Sequence, residues 1–409
     1  MKKITVSILG FGQRGLVYAE AIKMNYSEVQ LVKVCEVKKE KHPIIKQMFS
    51  LQDTDVFSEE DAFFKQKWSD ILVISTMDKD HYRQVIKALD LGYDILLEKP
   101  IALVKEEILH IQRHAHALGR KIAVAHVLRY TMFYQKLKEL IDQNAIGEIA
   151  TLQQTENVGY FHYVHSYVRG NWHNSDKSSP MILAKSCHDL DIIRYLMGKN
   201  VKKLSSFGNL FHFKKENMPK GAATHCKDCT VDCPFNAIDF YKKNPRWMKI
   251  FTLEENVDKV FENEDLDYGK CVYQMDNNVV DHQVVNLEFE HGATASFTMT
   301  GFSNENHRTL TIHGTKGEIN ADMDDYFITV KPYGKEIYQI DLRTYTHDFS
   351  HHGGGDYRLF MDFIRAVRDH TSFITDINDS VESHVLALEA EVSRLKEGKV
   401  IDIQLTSCV

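Results

Sequence analysis

A glycine-rich turn between a predicted strand and a predicted helix constrains the fold of this chain more than any other feature. The apolar run from Lys3 to Leu9 predicts a buried strand, and the residues from Leu16 to Met24 follow helical spacing. The turn is a G-x-G-x-x-G motif made of Gly10, Phe11, Gly12, Gln13, Arg14 and Gly15. Such glycines permit a tight turn, close approach of a pyrophosphate to the backbone, and close packing of helix on strand. The motif in this context predicts a dinucleotide-binding βαβ unit.

An acidic residue at the end of the second predicted strand bears on which dinucleotide would bind. The strand Val29 to Cys35 is followed by Glu36, about 20 residues after the last motif glycine. A carboxylate there accepts hydrogen bonds from the adenosine ribose and repels a 2′-phosphate, so NAD is preferred to NADP. The alternative is a solvated strand end, and Lys38 and Lys39 would weaken the preference.

Strands and helices continue to alternate through the first third of the chain, which predicts a parallel doubly wound sheet. We expect strands at 70–75, 93–97 and 122–127, and helices at 81–91 and 106–118. Ligands bind such sheets at the carboxyl ends of the strands. The candidates at those ends are Thr76, Glu98, Lys99 and His126.

The length and the net charge limit the remaining possibilities. A chain of 409 residues predicts about two domains, which we place at 1–127 and 128–409. The net charge of −7 does not favour nucleic acid or an anionic membrane as a partner. No stretch is apolar for long enough to cross a bilayer, so a cytoplasmic protein is expected.

The second part of the chain has a different pattern. Apolar residues alternate with polar ones from Val285 to Met299 around a turn at Gly292, which predicts a β-hairpin, and a second hairpin is predicted over Thr309 to Ile319. Helices are expected over 359–367 and from the capping pair Asp379/Glu382 to Gly398.

Several motifs together resemble the Gfo/Idh/MocA oxidoreductase family. They are the Gly10–Gly15 turn, Thr76 with His81, the triplet Glu98-Lys99-Pro100, and a helix entered through Cys187-His188-Asp189-Leu190-Asp191. The resemblance implies a second α+β domain built on a large, open, mainly antiparallel sheet, with the active site between the domains. It also implies hydride transfer at a sugar or polyol carbon, and a homodimer or homotetramer.

The same resemblance assigns expected roles to individual residues. Lys99 would contact the reacting hydroxyl, His188 would be the catalytic histidine, and Glu98, Thr76, His81 and His126 would lie at the cofactor. The chemistry agrees, because alcohol oxidation needs a proton acceptor near neutral pH and a cation beside the developing alkoxide.

One position departs from the family pattern. Many members have an aspartate four residues before the catalytic histidine, and here that residue is Ala184. Lys185 is then a candidate for the site, and either Asp189 or Asp191 could orient His188. Asp191 is also a candidate for substrate binding. Asp189 could equally be an acid favoured by the first turn of the helix.

Two polar segments are candidates for substrate binding. Arg169, Asn171 and Trp172 resemble a sugar site, although a surface loop is the alternative. His352 begins a loop with three glycines, and a similar loop occurs in the NAD-dependent glycosidases of the family. Two alternative functions therefore stay open: a glycosidase or lyase that oxidises the sugar transiently, and a non-catalytic NAD(H)-binding regulator, which the loss of the aspartate at Ala184 would fit.

A cysteine cluster between residues 212 and 271 suggests a metal. Cys226, Cys229 and Cys233 are closely spaced, and a tetrahedral structural zinc site needs a fourth ligand. His212, His225 and Cys271 are candidates, and resemblance to a cysteine-bearing subgroup of the family favours Cys271 or His212. Free thiols and an iron–sulfur cluster are the alternatives.

Overall fold

The computed structural model describes residues 3–252, 254–348 and 350–404 and contains two sheets with helices packed on them. The strands are β1 (Ile4–Leu9), β2 (Val29–Cys35), β3 (Val56–Phe57), β4 (Ile71–Ile74), β5 (Asp94–Leu97), β6 (Ile122–Val124), β7 (Ile149–Gly159), β8 (Val201–Asn209), β9 (His282–Phe289), β10 (Thr294–Ser303), β11 (His307–Gly314), β12 (Gly317–Asp322), β13 (Phe327–Pro332), β14 (Tyr338–Asp341) and β15 (Ile401–Asp402). The helices are α1 (Gln13–Met24), α2 (His42–Phe49), α3 (Glu60–Phe63), α4 (His81–Asp90), α5 (Lys105–Leu118), α6 (Met132–Asp142), α7 (Tyr160–Tyr163), α8 (Met181–Ala184), α9 (Cys187–Met197), α10 (Ala237–Lys243), α11 (Val257–Val260), α12 (Ser350–Gly353), α13 (Gly355–Asp369) and α14 (Ile377–Leu395).

The first sheet confirms the predicted dinucleotide-binding architecture. Its six strands are all parallel and run in the order β3-β2-β1-β4-β5-β6. The central strands β4 and β5 are almost wholly buried, which explains their uninterrupted apolar sequences. The sequence did not predict β3 or α2. The carboxyl ends of β1, β4 and β5 meet at one edge of the sheet.

The second sheet confirms the mainly antiparallel domain. Its nine strands run in the order β14-β13-β12-β11-β7-β10-β9-β8-β15. Within the described strands of this sheet, only β7 and β10 pair in parallel, and the other pairs are antiparallel. The predicted hairpins are β9–β10 and β11–β12. Inward residues along these strands alternate with half-buried ones.

Two late helices connect the sheets. Phe360 and Phe363 of α13 join the core that contains Val6 and Tyr18 of the first sheet and its helix. Helix α14 begins two residues before the predicted capping pair, because the Asp376 side chain caps it by accepting a hydrogen bond from the N–H of Asn378. In the described part of the chain, no helix combines the length and apolarity needed to cross a membrane.

Candidate active site

The glycine-rich turn has the shape that a pyrophosphate requires. Gly10 has a φ of +87°, and a side chain there would lie 2.7 Å from the carbonyl oxygen of Ser75. A side chain at Gly15 would overlap the carbonyl oxygen of Gly10. At Gly12, by contrast, no atom lies within 4 Å of a built Cβ, and both Gly12 and Gln13 are exposed. The open space in front of the N-terminus of α1 fits a dinucleotide phosphate.

Glu36 lies beside this turn, as the sequence predicts. It is 7% exposed, and its two oxygens accept hydrogen bonds of 2.9 Å from the N–H groups of Phe11 and Lys38. The Lys41 ammonium lies 3.7 Å from the same carboxylate. The carboxylate is thus fixed at the carboxyl end of β2, where a ribose would bind.

The Arg14 side chain links the glycine-rich turn to two other segments, which the sequence did not predict. Its Nε donates to Glu98 at 2.6 Å, and its Nη2 forms an ion pair with Asp356. The Tyr18 hydroxyl also donates to Glu98 at 2.6 Å, and His352 Nδ1 lies 2.8 Å from Asp356. Burial opposes ionisation of Asp356, but Arg14 and His352 together lower its pKa. The glycine-rich turn, the end of β5 and the start of α13 therefore meet at Arg14, and the predicted loop at His352 is instead the junction of the short helix α12 with α13.

His81 holds the turn that follows β5, whereas Thr76 is tied to α4. His81 is fully buried, and its Nδ1 lies 2.6 Å from the carbonyl oxygen of Pro100. The Thr76 hydroxyl donates to Gln84 at 2.5 Å. In this placement His81 positions the Lys99-Pro100 segment instead of presenting a nitrogen to the cleft.

Two lysines and a histidine converge where α8 leads into α9. Lys99 Nζ donates to the carbonyl oxygen of Ala184 at 2.5 Å, and Lys185 Nζ lies 3.2 Å from Glu156. His188 follows in the first turn of α9, and its ring centroid lies 6.4 Å from that of His352. The residue that replaces the usual aspartate thus still binds Lys99, through its backbone.

The protonation states of this group follow from burial and charge. Burial and the nearby Lys99 lower the pKa of His188 well below its ordinary value, so the imidazole is neutral at pH 7. Burial also lowers the pKa of Lys185, although Glu156 opposes the effect. The neutral imidazole has a lone pair that can accept a proton, while burial and the Lys99 charge both lower its basicity.

A buried charge network that the sequence did not predict supports Lys185. Arg308 Nε lies 2.6 Å from Glu156 and 2.8 Å from Asp189. Gln154 also donates to Asp189 at 2.8 Å. Gln154 and Glu156 occupy inward positions of β7, between Leu152 and Val158. Polar residues at inward strand positions, where apolar side chains are expected, are the sequence signal that could have revealed this network.

His126 and Asp191 lie behind His188. Both are fully buried, and the His126 ring centroid lies 5.7 Å from that of His188. Both Asp191 oxygens accept hydrogen bonds from Arg129, at 2.7 and 2.8 Å. Asp191 is therefore occupied by Arg129 instead of facing a substrate, and His126 supports His188 from the protein interior.

The three residues of the predicted sugar loop are placed differently from one another. Arg169 is 4% exposed and donates to the carbonyl oxygens of Lys270 and Phe235 inside the second domain, contrary to the substrate contact expected of it. Asn171 is exposed. Trp172 is half-buried, and its indole N–H donates to Asp78 at 3.1 Å, just beyond β4.

The structure does not support the zinc prediction. Cys226, Cys229, Cys233 and Cys271 line one small cavity, but no three His, Cys, Asp or Glu side chains in residues 3–252, 254–348 and 350–404 are grouped to hold a metal. The guanidinium of Arg169 lies 3.3 Å from Cys226 Sγ, which places a cation against the thiols. His212 instead lies 3.0 Å from the Tyr273 hydroxyl.

Comparison with known families decides the classification. Residues 4–126 match the model described as "Oxidoreductase family, NAD-binding Rossmann fold", and residues 138–402 match "Oxidoreductase family, C-terminal alpha/beta domain". The chain belongs to the Gfo/Idh/MocA oxidoreductase family. This confirms the family predicted from the motifs.

The similar curated proteins are distant members of this family. The chain is 22% identical over 277 residues to the putative oxidoreductase YteT of Bacillus subtilis, covering 65% of this chain and 64% of YteT. It is 25% identical to the scyllo-inositol 2-dehydrogenase (NADP(+)) IolW of the same organism, over 38% of this chain and 42% of IolW. The chain therefore matches less than two thirds of the length of these relatives.

Solved structures confirm the fold over almost the whole chain. The WlbA dehydrogenase from Bordetella pertussis, in complex with NADH and UDP-GlcNAcA, is 18% identical with a TM-score of 0.72 over 99% of both chains. An oxidoreductase domain protein from Kribbella flavida is 14% identical with a TM-score of 0.75, covering 99% of this chain and 100% of that one. At these identities the likeness shows the fold alone.

Proposed function

We propose that this Gfo/Idh/MocA protein oxidises a secondary alcohol of a sugar, glycoside or polyol with NAD. The observation that carries the proposal is the convergence of Lys99, Lys185 and His188 where the two domains meet. The printed names of curated relatives, which include the scyllo-inositol dehydrogenase above and a D-glucoside 3-dehydrogenase of Escherichia coli, support this substrate class.

Each residue of the group has a distinct role in this proposal. The Lys99 ammonium, held by the Ala184 carbonyl, lies where it can donate to the reacting hydroxyl and stabilise negative charge on it. Neutral His188 accepts the hydroxyl proton. Lys185, fixed by Glu156, orients a second hydroxyl. Bound NAD would supply the hydride acceptor.

The remaining roles concern the cofactor and stay proposals. The backbone from Gly10 to Gly15 and the Glu36 carboxylate would hold the dinucleotide, and Glu36 favours NAD over NADP. Glu98, fixed by Arg14 and Tyr18, would lie beside the nicotinamide ribose. Assembly into a homodimer or homotetramer and a cytoplasmic location also remain predictions. No observation favours the glycosidase or the regulator.

A kinetic experiment tests the proposal. NADH fluorescence would be followed with a panel of sugars, methyl glycosides and inositols. We expect Lys99→Met to lower kcat about 10²–10⁴-fold. Lys67→Met is the matched control, because Lys67 Nζ also donates to a backbone carbonyl, that of Gly92 at 2.6 Å, but on the surface. Demonstrated NAD binding without turnover of any panel member would count against the proposal, as would equal losses in both variants.

A further inference from the structure

Four aromatic rings follow one another in a row near the catalytic group of Lys99, Lys185 and His188. We call it the aromatic wall: His162, Tyr167, Trp172 and Trp247. The ring centroids lie 6.4 Å apart for Trp172 and Tyr167, 6.4 Å for Tyr167 and His162, and 5.3 Å for His162 and Trp247. Trp172, His162 and Trp247 are half-buried residues, and Tyr167 is buried between Trp172 and His162.

Two rings of the wall, Trp172 and His162, are held by segments near the catalytic group. Trp172 is held by Asp78 just beyond β4, at the edge of the sheet where ligands bind. His162 lies in α7, which directly follows β7 and its Glu156, the partner of Lys185. His162 Nδ1 lies 3.0 Å from Asn306 Oδ1, which fixes its ring. Both rings are therefore held by segments that lie near the catalytic group.

Trp247 lies in the segment 212–271 that carries the cysteine cluster, which we call the cysteine-bearing segment. Hydrogen bonds anchor this segment to the rest of the wall. Arg169, between Tyr167 and Trp172, donates to the backbone of Lys270 and Phe235 in the segment. His165 Nδ1 lies 2.7 Å from the Tyr241 hydroxyl, which is also in the segment. These buried bonds explain what the segment does for the site: they place Trp247 against His162.

The length of this wall has a chemical consequence. One sugar ring with its reacting carbon between Lys99 and His188 would occupy the catalytic group. The wall leads from His162, whose pKa is lowered by burial and by the charge of Lys185, to Trp247 5.3 Å away, and aromatic faces bind flat, partly apolar rings by stacking. We propose that the aromatic wall binds a second ring, so that the substrate is a glycoside whose second ring is a sugar or an aryl group. This inference rests on the proposed function.

The test compares substrates that share the reacting ring. For wild type and Trp247→Ala, KM would be measured for methyl β-D-glucoside, cellobiose and p-nitrophenyl β-D-glucoside, and for the corresponding galactosides. We expect Trp247→Ala to raise the ratio of the two-ring KM to the methyl glycoside KM about tenfold, and Trp247→Phe to restore most of it. Comparing cellobiose with p-nitrophenyl β-D-glucoside shows whether the wall prefers a sugar or an aryl group as the second ring.

A variant in the same segment controls for local damage. Phe251 stacks on Tyr268 with centroids 4.0 Å apart, so Phe251→Leu disturbs the packing of the segment. We expect it to leave the KM ratio unchanged. An equal rise in Phe251→Leu, or a Trp247→Ala effect that is the same for one-ring and two-ring substrates, would overturn the inference.

Binding gives a readout that does not depend on turnover. Isothermal calorimetry would measure the same glycosides against protein loaded with NAD, in a Lys99→Met background with and without Trp247→Ala. We expect the two-ring ligands to lose about tenfold in affinity. If wild type oxidises no sugar, the proposed function fails while calorimetry still tests the wall; if it oxidises sugars and the affinities do not change, only the wall is refuted.

Discussion

The buried ion pair between Arg129 and Asp191 offers a quantitative test of what stabilises the second domain behind His188. The two side chains are 4% and 1% exposed and form two hydrogen bonds of 2.7 and 2.8 Å. Arg129 also donates to the carbonyl oxygens of Ile374 and Asp379. Removing one partner of such a pair leaves the other charge buried, which costs about 3–5 kcal/mol. We expect Arg129→Met to lower the free energy of unfolding by about 4 kcal/mol.

Urea unfolding followed by circular dichroism measures this change. The double variant Arg129→Met/Asp191→Leu should recover most of the loss, since no charge is then buried. Arg343 makes the same two-bond contact with Asp341 on the surface, and Arg343→Met should change nothing measurable. A loss below about 1 kcal/mol, or a double variant no better than the single one, would refute the reasoning.

Three further predictions concern the cofactor site and pH. Glu36→Ala should raise the ratio of kcat/KM with NADP to kcat/KM with NAD at least tenfold, because the carboxylate no longer repels a 2′-phosphate; an unchanged ratio would contradict its role. Gly12→Ala should keep the melting temperature but weaken NAD binding, whereas Gly15→Ala should lower the melting temperature by overlap with the turn, both measured by thermal shift and fluorescence titration. Burial lowers the pKa of His384 to about 3 from 6.5, so the unfolded chain takes up a proton first and stability is lost as the pH falls below about 6.5. His384→Gln should make that loss shallower in urea titrations at pH 7.5 and 5, and equal slopes would exclude the histidine as its source.

The first domain could be predicted from the sequence because its signals are local. Strand β2 has the predicted bounds, and α1 begins three residues before the predicted start. Strand β3, Val56–Phe57, has two residues, which is too short to show any period. Short elements that depend on a neighbouring strand leave no such pattern.

Site residues could be predicted where a motif fixes their position. They could not be predicted where tertiary contacts decide which way a side chain points. Lys99 and His188 meet as the motifs imply. Glu156 and Arg308 face each other only because β7 and β11 are neighbours, which no local pattern encodes. Arg169 has the polarity of a sugar ligand, but the cysteine-bearing segment turns it inward. Residue type is read from the sequence, whereas orientation follows from packing.

The return of α13 to the first sheet has a consequence for anyone who exchanges parts between relatives. Because Phe360 and Phe363 complete the core around Val6 and Tyr18, the cofactor-binding half is not a continuous segment of the chain. A chimera joined near residue 127 would have to carry α13 with its own sheet, or leave an apolar surface uncovered. The first turn of the same helix carries Asp356, the partner of Arg14, so a glycine-rich turn transplanted without α13 would also lose this ion pair.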